Sequence, residues 1–329
     1  PLANPHIRAA AAGSYDRPMP TFDISREISG SGEFVRQQSC FREFVTADGS
    51  SGFKAEPGRY HLYVSYACPW ASRSIIFRRL KGLEDVISMT VLDPVRDGLG
   101  CMFFPDEPDP INGFEFLRDA YLLTKPDFSD RVTVPLLWDK QENRAVNNES
   151  SEVIRMLNSE WDEWGRAHVD LYPEDKRQEI DELNERIYNE VNNGVYRAGF
   201  ATSQNVYEKA FQRVFIALYW LEEKLAGSRF LTGPAITEAD WRLFVTLVRF
   251  DAAYVGHFKL NRQRIADFPN LSGYLRDLYQ QPGIAGTVKI DHIKRHYYMT
   301  HPQINPNQIV PAGPELDFTS PPGREHLSG

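Results

Sequence analysis

Aromatic and branched side chains alternate through Tyr60-His61-Leu62-Tyr63-Val64-Ser65-Tyr66. A period of two predicts a half-buried strand. After Pro69 the spacing becomes helical, with Ile75, Ile76, Arg79 and Leu80 at three- and four-residue intervals. Pro69 suits the first turn of that helix, where its missing N–H leaves no bond unmade. Val86 to Leu92 is a second strand. Residues 93–110 are rich in Gly, Pro and Asp and read as a loop. Val132 to Asp139 is a strand interrupted by Pro135, and residues 146–154 open a helix. The longest helical patterns follow, at 174–193, 204–226, 237–256 and 270–281. Thr237 and Asp240 have the spacing of a capping box before a mostly apolar helix. The pattern predicts an α/β unit over 58–158 and an all-helical unit over 159–300.

The flanks are less regular. Residues 1–57 contain Pro5, Pro18, Pro20 and two Ser/Gly runs, yet Phe34, Val35, Phe41, Phe44 and Val45 call for burial. They read as an ordered extension. Residues 301–329 read as an irregular tail lying on the body.

The formal net charge is -8, which gives no basic footprint for nucleic acid or an anionic membrane. No apolar run approaches the roughly 18 residues that cross a bilayer. The Ala9–Ala12 run is too short for a signal sequence. Three cysteines in 329 residues argue against a disulfide framework and for a reducing compartment. The expected location is cytoplasmic, with the mitochondrion as the alternative.

Cys68 falls where the strand ends and the helix begins. Free N–H groups and the positive end of the helix dipole at such a junction favour a thiolate. A dithiol site reads C-x-x-C, but Ala71 stands where the second cysteine belongs. The chemistry is therefore monothiol: attack on a sulfur, then release of the mixed disulfide by an external thiol such as glutathione. Cys40 and Cys101 are expected to be non-catalytic.

Three further features bear on a site. A cis Pro135 would present the Val134 backbone to a peptide-like ligand as an extra strand. Glu149 and Ser150, at a helix N-terminus, suit an ammonium and an anionic group. His292 and His296 are four residues apart, but no third ligand accompanies them, so no metal is expected.

The order strand–Cys–Pro–helix, Val134-Pro135, Glu149-Ser150 and the Thr237–Asp240 box resembles a glutathione transferase. Tyr66 to Ala71, Arg131 to Asp139, Asn193 to Ala201, Leu247 to Asp251, Ile304 to Pro306 and Gly32 to Gln37 are similar to the xi class, the glutathionyl-hydroquinone reductases. The resemblance implies an α/β plus all-α fold: an N-terminal thioredoxin-like domain, then an all-helical glutathione-transferase C-terminal domain. It implies cleavage of glutathionyl-hydroquinones by a second glutathione through a Cys68 mixed disulfide. Arg131, Val134, Pro135, Glu149 and Ser150 would hold glutathione. Tyr196 and a tyrosine of 297–298, first Tyr297, would face the quinol. Met102 stands where the class has an aromatic over glutathione. A homodimer built through the helical domain is implied as well. An omega-like thioltransferase or dehydroascorbate reductase is the alternative, and a non-enzymatic binding module a remoter one.

Overall fold

In the computed structural model, which describes residues 24–97, 100–104 and 106–327, strand β1 (Tyr60–Val64) is buried along its whole length. A half-buried strand was expected. The difference comes from its central place in the sheet, with side chains packed on both faces. Tyr60 meets Trp161 edge-on at 5.4 Å, and Tyr63 meets Phe103 at 5.8 Å and donates to Asp109 at 3.0 Å.

Helix α1 (Pro69–Leu80) follows β1 directly, and β2 (Ser88–Val91) pairs parallel to β1. Helix α2 (Leu117–Thr124) leads to β3 (Leu136–Asp139), β4 (Arg144–Asn147) and α3 (Ser150–Ser159). The sheet order is β2-β1-β3-β4, with β3 antiparallel to both neighbours. β3 begins only after Pro135, whose peptide bond with Val134 is cis. The loop expected over 93–110 carries a small hairpin, in which Arg96 pairs with Cys101.

The extension runs along the outer edge of β4. Glu43 N–H donates to Val146 O at 3.1 Å, and Asn148 N–H donates to Phe41 O at 3.0 Å. This covers an edge that would otherwise template pairing with another chain. Phe34, Phe41 and Val45 are buried, whereas Val35 and Phe44, also expected inside, are exposed.

The helical unit holds α4 (Arg177–Ile187), α5 (Gly194–Gly199), α6 (Gln204–Ala226), α7 (Glu238–Arg249), α8 (Pro269–Tyr279) and α9 (Ile290–Thr300). Two expected single helices, 174–193 and 237–256, end instead in π-helical turns at Tyr188–Asn192 and Phe250–Tyr254. Helix α7 is buried throughout. Asp240 secures its start, accepting from Thr237 N–H (2.8 Å), Leu231 N–H (2.9 Å) and Tyr274 Oη (2.8 Å). The C-terminal tail lies on α6 and α8: Arg324 donates to Leu225 O at 2.7 Å, and Gln280 donates to Phe318 O at 2.9 Å. Among the described residues no helix is long and apolar enough to cross a membrane. The early prolines, the Ala9–Ala12 run, Gly98 and Leu99 lie outside the described residues.

Candidate active site

Cys68 is the N-cap residue of α1, with φ -79° and ψ 121°, and Pro69 occupies the first turn. The local sequence predicts this: an extended strand runs into a proline that can only start a helix. The thiol makes no cap hydrogen bond to the helix N–H groups. It donates instead to the Val134 carbonyl at 3.5 Å. The Val134 N–H has no partner among the described residues, so this extended segment keeps a donor for a peptide-like ligand.

Arg249, at the end of α7, fixes the turn that carries Cys68. It is fully buried and donates to Ala67 O (3.0 Å), Tyr66 O (2.8 Å) and Ser72 Oγ (2.6 Å). One guanidinium thus ties the helical unit to the strand–helix junction. The capture of carbonyls 182 and 183 residues away has no local signal in the sequence.

Cys68 opens on a cavity of about 300 Å³. Glu149 and Ser150, at the start of α3, line it. The Glu149 carboxylate accepts from Ser151 N–H at 3.1 Å, Ser151 Oγ at 2.9 Å and Ser39 Oγ at 2.9 Å. Burial alone would raise its pKa, but these bonds and the Arg73 charge outweigh burial and hold it below the usual value. A carboxylate kept ionised beside a helix N-terminus suits a zwitterionic α-amino acid group. Arg131 also lines the cavity, paired with Glu27.

Trp70, Tyr196 and Phe200 also line the cavity. Trp70 stacks on Tyr196 with ring centroids 6.4 Å apart. Tyr196 Oη is 2.6 Å from Tyr297 Oη, which is 2.9 Å from Tyr254 Oη. Burial raises the pKa of all three phenols, so they stay protonated as donors. His296 also reaches the cavity. Its Nδ1–H donates to Pro94 O at 2.6 Å, and burial, with Arg96 nearby, pushes its pKa down to about 3. It therefore stays neutral. Among the described residues no cluster of three or more His, Cys, Asp or Glu is arranged for a metal.

Of the residues singled out from the sequence, Cys68, Arg131, Val134, Glu149, Ser150 and Tyr196 converge on this cavity. Pro135 only shapes the Val134 segment. Tyr297 does not line the cavity and stands behind Tyr196, while Tyr298 packs on His257. Met102 is also absent from the lining; its backbone bridges Phe116 and accepts from Asp93 N–H at 3.0 Å. The sequence reading missed Trp70, Arg249 and His301, and the extension residues Arg36 to Ser39. Trp70 lies in the Tyr66–Ala71 run, Arg249 in Leu247–Asp251, and Arg36 and Gln37 in Gly32–Gln37, all legible as patterns without a chemistry.

Two protein-family models match the chain: glutathione S-transferase, N-terminal domain, over residues 67–160, and glutathione S-transferase, C-terminal domain, over residues 204–277. Glutathionyl-hydroquinone reductase PcpF of Sphingobium chlorophenolicum is 51% identical over 289 residues, covering 87% of this chain and 91% of the relative. Glutathionyl-hydroquinone reductase YqjG of Escherichia coli is 50% identical over 307 residues, covering 90% and 94%. The crystal structure of the glutathione-S-transferase Xi from Phanerochaete chrysosporium superposes with a TM-score of 0.87 at 47% identity, covering 92% of this chain and 99% of that one. The glutathione-bound structure of YqjG gives a TM-score of 0.84 at 51% identity, covering 86% and 96%. With identities near one half over nearly the whole length of both partners, the chain belongs to the glutathione transferase family and, within it, to the xi class.

Proposed function

We propose that this enzyme reduces S-glutathionyl-hydroquinones to hydroquinones and yields oxidised glutathione. The observation that carries the reading is the placement of a monothiol, Cys68, and a phenol donor, Tyr196, on one cavity.

The chemistry asks for both. A Cys68 thiolate attacking the thioether sulfur must expel a ring carbon, and a ring carbanion is far too basic to leave. If the quinol reacts as its keto tautomer, the carbon leaves as an enolate and the ring regains aromaticity. The Cys68–glutathione S–S bond forms as the C–S bond breaks, and its electron pair goes to the ring oxygen. Tyr196, backed by Tyr297, donates a hydrogen bond and then a proton to that oxygen. A second glutathione thiolate attacks the mixed disulfide, giving oxidised glutathione and free Cys68. The sum is balanced: one thioether and one glutathione give one hydroquinone and one disulfide.

Glutathione is the co-substrate. Glu149 and Ser150 take its γ-glutamyl end, the Val134 backbone pairs with its cysteinyl residue, and Arg131 contributes positive charge. Residues 58–158 thus carry glutathione and residues 159–300 the quinol wall, with the described parts of the flanks, 24–57 and 301–327, packed around them. The work belongs in the cytosol, where reduced glutathione is abundant. A homodimer through the helical domain is supported by Ile216 and Tyr219, both exposed on α6. Sedimentation tests the dimer.

The deciding experiment is turnover of a glutathionyl-hydroquinone beside a glutathione mixed disulfide. The reading expects rapid, Cys68-dependent cleavage of the thioether. Reduction of the disulfide alone would reassign the chain to thioltransferase work.

A further inference from the structure

The cationic side chains of the cavity differ in what holds them. Arg131 is paired with Glu27 and Arg42 with Glu152, and Arg96 donates to Val132 O at 3.0 Å. Arg36 forms no ion pair among the described residues. Its Nε donates to Asn193 Oδ1 at 3.0 Å, and no other described residue hydrogen-bonds its guanidinium. Its Cζ lies 4.5 Å from the Trp70 ring, 4.9 Å from the Tyr196 ring and 5.4 Å from the Phe34 ring.

This position is built. Gly32 O accepts from Thr202 N–H at 3.2 Å. Gly32 has φ +88°, and a Cβ there would stand 2.7 Å from Thr202 Oγ1, so glycine is needed for the approach. Phe34 is buried against Phe200 and Tyr196, with centroids at 5.4 and 6.2 Å. The extension is therefore fastened to the helical unit two and four residues before Arg36. It delivers a cation, lacking a counter-charge of its own, to the wall that carries Tyr196.

We propose that Arg36 is a positioning residue for C–S cleavage: its charge, held against Trp70 and Tyr196, stabilises the negative charge that gathers on the quinol ring oxygen as the thioether breaks. The inference rests on the thioether reading above. Physically, an unpaired guanidinium in a partly enclosed site acts on developing charge much more strongly than in water. Its field also favours the anionic side of a proton transfer from Tyr196, opposing the burial that raises that phenol's pKa. A small thiolate leaving from a disulfide is already a stable anion and needs this help much less.

The test compares wild type, Arg36→Gln and Arg36→Lys on a glutathionyl-hydroquinone and on the mixed disulfide of glutathione with 2-mercaptoethanol. Arg36→Gln is expected to lower kcat for the thioether by about 10²-fold, and to change disulfide kcat and glutathione KM by no more than about fivefold. Arg36→Lys, which keeps the charge, is expected to restore at least about a tenth of the wild-type rate. Equal losses on both substrates would overturn the inference, as would a raised glutathione KM with kcat retained. So would Arg36→Lys performing no better than Arg36→Gln at wild-type melting temperature. An inactive wild type on the thioether defeats the functional reading and this inference together. An active wild type matched by Arg36→Gln defeats this inference alone.

Discussion

The hydroxyl of Tyr196 stands 2.6 Å from that of Tyr297, although the two residues are 101 positions apart. Tyr196 faces the cavity and Tyr297 stands behind it, bonded in turn to Tyr254. In the proposed reaction the second phenol would therefore act through the first. Tyr196→Phe is expected to reduce thioether kcat by about 10²–10³-fold, the usual cost of one oxyanion donor. Tyr297→Phe should cost less, because Tyr196 keeps its own O–H. Steady-state kinetics on the thioether checks the ranking. A larger loss in Tyr297→Phe would mean that Tyr297 meets the substrate itself.

Replacing Cys68 should exchange one activity for another. Cys68→Ser cannot attack sulfur at neutral pH, yet its hydroxyl can donate to a glutathione thiolate. Thioether and disulfide reduction should fall by orders of magnitude, and conjugation of glutathione to an aryl halide should appear. In wild type, substrate with no free glutathione should leave one glutathione disulfide-bonded at Cys68, seen by intact mass. An adduct mapped to Cys40 or Cys101 would contradict the assignment.

Arg249 predicts a different signature from Arg36. Arg249→Met strands two carbonyls at the Cys68 turn, each a buried acceptor costing about 1–3 kcal/mol when unmade. Calorimetry should record a lower Tm, and thioether and disulfide reduction should decline together, because the turn positions the sulfur for both. A change confined to one substrate would mean that Arg249 does more than hold the turn.

Glutathione binding should depend on Glu149. The carboxylate is held below its usual range, so binding should be level across neutral pH and weaken only in acid. Glu149→Gln keeps the acceptor for Ser151 N–H but loses the charge. The glutathione Kd, measured by titration calorimetry, should rise by about 10- to 100-fold. An unchanged Kd would remove Glu149 from the binding site.

Stability should fall on mild acidification. His61 and His257 are buried, and their pKa values are pushed from the ordinary 6.5 down to about 4 by burial; His296 goes to about 3. Between pH 6.5 and about 5 the unfolded chain binds protons that the folded one does not. Unfolding therefore becomes easier as pH drops. The carboxylates raised by burial, Asp240 and Asp251, work in the opposite sense. Denaturant melts at pH 7 and pH 5.5 should show the loss, and His61→Asn should reduce the slope. A flat profile would mean that these rings meet protons in the folded state.

Much of the site was legible because its signals are local. Pro69 after an alternating run fixes a strand–helix junction, so the place of Cys68 follows from its own neighbours. Glu149 before Ser150 and Ser151 reads as a helix start for the same reason. Asp240, three residues beyond Thr237, announces α7. The rest was illegible because it depends on residues distant in the chain. Periodicity gave β1 one buried face and could not count the layers packed on the other. The π-helical turns before α5 and after α7 leave no mark in a 3.6-residue pattern.

The sequence by itself determined most of the elements and their order, and singled out Cys68 as the candidate sulfur, since each rests on bonds made within a few residues; helix α2 and the Arg96–Cys101 hairpin escaped it. The family likeness followed from the same short motifs. Only the tertiary structure decided which side chains share the cavity with Cys68. It placed Trp70, Arg36 and Tyr196 on one wall, put Tyr297 behind that wall, and left Met102 out of the lining. It also carried Arg249 across 182 positions to the carbonyl of Ala67. These are meetings between distant segments, set by how buried faces pack and where buried polar groups find partners, and no local pattern encodes them.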